Sequence, residues 1–200
     1  MKFFAIETLA FMSGVVNVYL LTRCSLWNWL FGIITVSLYT IIFFNTKLYA
    51  DMCLQGVFLI FQFYGLYQWR YGSSEKNPLV IQVINNSTGL SLVLAAIILF
   101  FSISFILKYN TDSTTIYADA AITTLSLIAQ WMMSKKYLHH WVLWIVVDLL
   151  SIGLYISKTL YLTALLYSVF MLLCIKGYYQ WRETLNKSRG SHSIVYAKSG

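Results

Sequence analysis

Seven runs of apolar residues, each close to the length of a bilayer-spanning helix and nearly empty of charge, follow one another along almost the whole chain. They cover residues 3–21, 27–44, 48–69, 89–107, 115–133, 140–157 and 160–181. A hydrocarbon core about 30 Å thick takes about 20 helical residues to cross. In lipid the backbone must satisfy its hydrogen bonds within its own segment or barrel. The chain's one proline, Pro78, lies in the longest connection, residues 71–88. A proline-poor chain of this pattern is expected to be an all-α integral membrane protein.

Composition closes off the soluble alternative. Charged residues make up 10% of the chain and apolar ones 59%, with a mean hydropathy of +0.69. A soluble domain carries about a quarter charged residues to face water. The net charge of +7 does not imply nucleic acid, because the basic residues sit in the connections. Cys24, Cys53 and Cys174 show no metal-ligand spacing and read as small buried or lipid-facing residues. The first run is read as a mature helix, since no small-residue cleavage pattern follows it and Glu7 interrupts it.

Lysine and arginine divide unevenly between alternate connections. One side holds Lys2, Lys47, Lys108 and Lys158; the other holds Arg23, Arg70, Lys76, Lys135, Lys136, Arg182, Lys187, Arg189 and Lys198. The positive-inside rule then places the carboxyl terminus in the cytoplasm and the amino terminus outside. The short links at 45–47 and 158–159 each join antiparallel neighbours, and the polar stretch after Arg182 is expected to be disordered.

Shifted by 112 residues, the chain matches itself without a gap. Trp29 falls on Trp141, Leu48-Tyr49 on Leu160-Tyr161, Val57-Phe58 on Val169-Phe170, Gly65 on Gly177, and Tyr67-Gln68-Trp69-Arg70 on Tyr179-Gln180-Trp181-Arg182. Of the 45 aligned positions from Leu26 to Arg70, 14 are identical, about three times what biased composition would give. The period spans four crossings, an even number, so both copies insert the same way up. The expected architecture is seven transmembrane helices as two parallel three-helix repeats plus a linker helix (3+1+3). The segments are 1–70, the loop and linker helix 71–110, the second repeat 111–182, and the tail 183–200. Parallel repeats of this kind occur in SWEET-type transporters, with the substrate between the halves near the midplane.

Polar groups within lipid are costly and are functional candidates by default. Trp141, Trp144, Asp148 and Tyr155 share one face of the sixth helix by their 3, 4 and 7 spacing. Asp119, Thr123 and Gln130 share a face of the fifth, and Asp51, Gln55 and Gln62 of the third; Asn17 stands on the first. Two tryptophans one turn apart above a carboxylate suit a flat aromatic cation, since an indole face attracts positive charge. Competing readings remain for several of these. Trp29 and Trp141 near the membrane edge, and the Tyr-Gln-Trp-Arg helix ends, read also as interface anchors. His139 and His140 read as solvated loop residues or a gate. Asp51 and Asp119 sit where a helix start favours anions.

Motifs for chemistry are missing. The sequence has no phosphate-cradling glycine-rich loop, no His-Glu-x-x-His, and no Ser or Cys nucleophile beside a base. An enzyme, an ATP-driven pump and a bound cofactor are therefore not expected.

Leu48-Tyr49-Ala50-Asp51-Met52, Trp141-x-x-Trp144-x-x-x-Asp148, Tyr155, Lys158, Leu160-Tyr161-x-Thr163-Ala164-x-x-Tyr167 and Gly177-Tyr178-x-x-Trp181 resemble the PnuC family of bacterial vitamin transporters, across residues 3–182. The resemblance implies a SWEET-like 3+1+3 fold in the bacterial inner membrane and uptake of nicotinamide riboside by facilitated diffusion, with trapping by a cytoplasmic kinase. It also implies a homotrimer in the lipid bilayer. Substrate stacking would fall to Trp141 and Trp144, with Asp148, Gln130, Gln55, Tyr155 and Asn17 as polar neighbours. His140 stands where family members often carry Asn, which leaves the vitamin open: thiamine, also a cationic aromatic, is the alternative. A membrane scaffold or sensor without transport is the alternative from another class.

Overall fold

The structure, a computed structural model, describes residues 2–45, 49–72, 80–111, 115–159 and 161–198. These form seven helices: α1 (Lys2–Thr22), α2 (Trp27–Asn45), α3 (Tyr49–Tyr71), α4 (Asn86–Asn110), α5 (Ile116–Ser134), α6 (His140–Ser157) and α7 (Tyr161–Lys198). The one other pairing among the described residues is an isolated bridge between Gln82 and Tyr137. Among the described residues, four segments are long and apolar enough by length and composition to cross a membrane, Ala5–Thr22, Trp27–Asn45, Asn86–Asn110 and His140–Ser157. The remaining helices carry more polar side chains, such as Gln62 on α3 and Thr124, Ser126 and Gln130 on α5, which are buried against protein. Inward-facing polar residues lower a helix's hydropathy while its outer face stays apolar.

Among the described residues, α2 packs between α1 and α3, and α6 between α5 and α7. The two groups meet where α1 touches α7 and α3 touches α5, while α4 packs on α5 alone. Residues 112 apart repeat one another's contacts. The turn after α1 places Cys24 at φ 52°, and the turn after α5 places Lys136 at φ 56°. Cys24 N donates to Leu21 O at 3.0 Å, and Lys136 N to Met133 O at 3.0 Å. Ser25 N donates to Leu20 O at 3.1 Å, and Tyr137 N to Met132 O at 3.0 Å. A single left-handed residue in this place stops a helix while its N–H still satisfies an end carbonyl.

Close approach explains two glycines. A Cβ at Gly65 would overlap the Trp29 ring, and one at Gly177 the Trp141 ring. Both indoles are fully buried, so neither Trp29 nor Trp141 is an interface anchor. Trp69 and Trp181 also lie in the interior, within one cluster that includes Trp29, Trp141, Ile81 and Leu185. The belt-and-anchor reading of the Tyr-Gln-Trp-Arg ends therefore holds only for their exposed members, Tyr67, Arg70, Tyr179 and Arg182. Trp69 and Trp181 leave the belt because each finds a buried carbonyl for its N–H.

Other departures concern chain ends and loops. His140 is the first residue of α6 and fully buried, not a solvated loop residue. The helix of α7 continues to Lys198, where the sequence predicted an irregular tail from 183. Leu185 is buried against the cluster, and Lys187 pairs with Glu183 one turn back at 2.7 Å, so the first turns beyond Trp181 have reasons to stay wound. In the connection to α4, Gln82 N donates to Lys136 O (3.1 Å) and Leu138 N to Gln82 O (2.9 Å), pinning this loop to the α5–α6 turn. The Thr46-Lys47 link and Pro78 lie outside the described residues.

Candidate substrate site

A cavity of about 240 Å³ lies between the two groups of helices. Ala10, Phe11 and Gly14 of α1, Thr35, Tyr39 and Phe43 of α2, and Gln55 of α3 line one side. Tyr155 of α6, with Thr163, Leu166, Tyr167 and Phe170 of α7, lines the other. It sits toward the end of the bundle where α2 and α6 finish and α3 and α7 begin. The tryptophan cluster occupies the opposite end.

The repeat runs through this wall. Gln55 and Tyr167 are 112 residues apart, as are Phe43 and Tyr155, and all four line the cavity. Spacing of four residues puts Thr35, Tyr39 and Phe43 on one face of α2. Tyr39 and Phe43 stack at 5.9 Å and 27°, and Tyr155 and Tyr167 at 5.3 Å and 23°. Thr35 Oγ1 donates to Phe31 O at 2.8 Å and lies 2.8 Å from Ser13 Oγ, which fixes its position on the wall. Aromatic faces, one amide and several hydroxyls thus surround the space, and none of the lining side chains is charged.

Of the residues expected from the sequence, Gln55 and Tyr155 line this cavity and the other five stand outside its wall. Asp148 is buried; the Cys174 thiol is hydrogen-bonded to its carboxyl, and its Oδ2 has no partner. It lies within electrostatic reach of Tyr167, close behind the wall. Trp144 is half-buried and packs against the tryptophan cluster, while Trp141 is fully buried in it. Gln130 is buried with Nε2 unpartnered, and Asn17 Oδ1 is buried without a partner. Polar groups left this way in an apolar interior are expensive unless something visits them.

Of the other lining residues, Thr35 and Tyr39 carried no mark in the sequence, and Thr163 and Tyr167 stood there only as motif residues without a role. The signal for Tyr167 was present, since it is the repeat mate of Gln55. Tyr39 was in phase with Thr35 by the spacing rule already applied to α6.

The chain is similar to known proteins along most of its length. Residues 4–183 match the family model described as "Nicotinamide mononucleotide transporter". The chain is 23% identical to the "Nicotinamide riboside transporter PnuC" of Escherichia coli (strain K12), over 96% of this chain and 90% of that one. It is 27% identical to the protein of that name from Neisseria mucosa, over 92% of this chain and 74% of the other. A solved structure, "Crystal structure of the Vitamin B3 transporter PnuC", superposes with a TM-score of 0.74 at 26% identity, covering 91% of this chain and 82% of that one.

Proposed function

The chain belongs to the nicotinamide mononucleotide transporter family, and on that footing we propose that it carries nicotinamide riboside across the bacterial inner membrane by facilitated diffusion. It is a transporter and not an enzyme. The cavity wall carries the choice of substrate. A phosphomonoester buried without a cation costs far more than its contacts return, and the lining residues offer it none. The riboside has a pyridinium ring for the faces of Tyr39, Tyr155 and Tyr167, and sugar hydroxyls for Thr35, Gln55 and Thr163. The cavity lies just below the common range of about 300–1,000 Å³ for ligand pockets, which favours a compact nucleoside. Asp148 balances the ring's charge from behind the wall.

On this reading Gln55 and Tyr155 touch substrate. Trp141, Trp144, Gln130 and Asn17 act in a conformation in which the substrate has moved toward the tryptophan end. We assign the chain a 3+1+3 architecture with seven crossings; the matched turns and the isolated packing of α4 support it. The surroundings are the lipid bilayer, and the exposed α4 residues Ile97, Ile98, Phe101 and Phe105 offer a surface for homotrimer formation. A cytoplasmic kinase traps the product. The basic bias places the carboxyl terminus inside; a reporter fused after Gly200 that reads external contradicts this.

Equilibrium binding to purified protein tests the substrate. Nicotinamide riboside is expected to bind at least about tenfold tighter than nicotinamide mononucleotide, a difference of about 1.4 kcal/mol. Equal or tighter binding of the mononucleotide, or tighter binding of thiamine, overturns the assignment.

A further inference from the structure

We propose that Trp69 and Trp181 form a paired latch that closes the tryptophan end of the transport path, so that substrate leaves there only when both indoles release. The inference rests on the transport reading above. Trp69 Nε1 donates to Met133 O at 3.2 Å, from α3 to the last turn of α5. Trp181 Nε1 donates to Leu21 O at 3.0 Å, from α7 to the last turn of α1. Donors and acceptors are each 112 residues apart, so one contact is made twice, and each time it ties one group of helices to the other. Each acceptor carbonyl also takes the N–H of the left-handed residue that ends its helix, Cys24 or Lys136. The latch is therefore anchored on the two rigid turns.

The surroundings distinguish a gate from a permanent core. Ring contacts run from Trp29 to Trp69 (5.4 Å), from Trp69 to Trp181 (6.0 Å), and from Trp181 to Trp141 (5.6 Å) and His140 (4.9 Å). Yet beside the bonded indoles lie buried polar atoms with no partner among the described residues: Nε1 of Trp29 and of Trp141, both side-chain polar atoms of Asn28, and both ring nitrogens of His140. Asn28 and His140 are again 112 apart, and each is fully buried. A core that never opened would gain by replacing them with apolar side chains, since an unmet buried polar group is destabilising. Opening to water satisfies all of them at once. The closed cluster is thus held by two specific bonds against a standing incentive to open.

Cys24 is a native reporter of that opening. Half-buried, it packs against the cluster, whereas Cys53 is exposed at the other end of the bundle and Cys174 is buried. The test is the rate of alkylation by N-ethylmaleimide of each native cysteine in detergent-purified full-length protein, resolved by mass spectrometry of its peptides. Trp69→Phe and Trp181→Phe keep an aromatic ring and remove only the N–H. Each is expected to speed labelling of Cys24 by about 2- to 10-fold, the usual range for one net hydrogen bond, and the double variant by roughly the product. The Cys53 rate and the gel-filtration profile are expected to stay as in the native protein. An unchanged Cys24 rate in the double variant overturns the latch, and so does an equal rise at Cys53, which marks general loosening. No substrate enters the assay. Failure of uptake with the Cys24 response intact counts against the transport reading and leaves the latch standing.

Discussion

Asp148 is the residue on which the charge argument turns. Among the described residues no cation pairs with it; Cys174 lies beside its carboxyl, and Oδ2 is left unpartnered behind Tyr167. A carboxylate so placed attracts a pyridinium in the cavity by about 1–2 kcal/mol at an effective dielectric near 20. Asp148→Asn keeps the shape and removes the charge. Nicotinamide riboside affinity is expected to fall about 5- to 30-fold, measured by calorimetry, while the uncharged dihydro form of the same nucleoside changes little. Equal losses for both ligands would assign Asp148 a packing role instead. Trp141 calls for a different reading of mutants. Fully buried against Gly177, its truncation to Ala removes core packing worth about 3–5 kcal/mol. Lost binding in that variant counts as a substrate effect only where its Tm is kept.

Element by element, the helices were legible in the sequence because lipid leaves so few choices: every long charge-poor run became a helix, and α6 has the ends expected for it. The direction in which each helix faces was legible less evenly. Polar stripes on α3, α5 and α6 marked the interior, since a polar side chain avoids lipid. Tryptophan carries no such sign, because an indole serves equally as a belt anchor or as a core ring, and only its tertiary neighbours decide. The carbonyls that bond Trp69 and Trp181 lie in the opposite group of helices, and a linear reading does not bring them near. The continuation of α7 was missed for a similar reason: the residues after Trp181 are polar, and the burial of Leu185 is a tertiary fact. Helix contacts make a direct prediction at the two close glycines. Gly65→Ala and Gly177→Ala force a methyl into a buried indole and are expected to destabilise by about 1–3 kcal/mol, read as a lower Tm in detergent. Gly56→Ala and Gly153→Ala meet open space and are expected to leave the Tm level or raise it. If all four behave alike, the Trp–Gly packing is wrong.

At the scale of the whole molecule, a duplicated bundle places a polar, aromatic cavity toward one end and a bonded tryptophan cluster at the other. The duplication was readable from the 112-residue self-match, and it pointed to a site between the halves. Which residues line that site was only partly readable, because Tyr39 and Tyr167 have ordinary apolar neighbours and gain meaning only across the interface. The proposed carrier is uncoupled. Glu7 and Asp119 stand near the starts of α1 and α5, with Thr115 Oγ1 donating to Asp119 at 2.9 Å. An uncoupled carrier works in both directions and stops at equal concentrations. The most direct test is uptake of radiolabelled nicotinamide riboside into liposomes containing only this protein. Saturable entry that ends when inside and outside concentrations are equal, unaffected by imposed proton or sodium gradients, is the predicted result. No entry above protein-free liposomes, or accumulation beyond the outside concentration, would contradict the account.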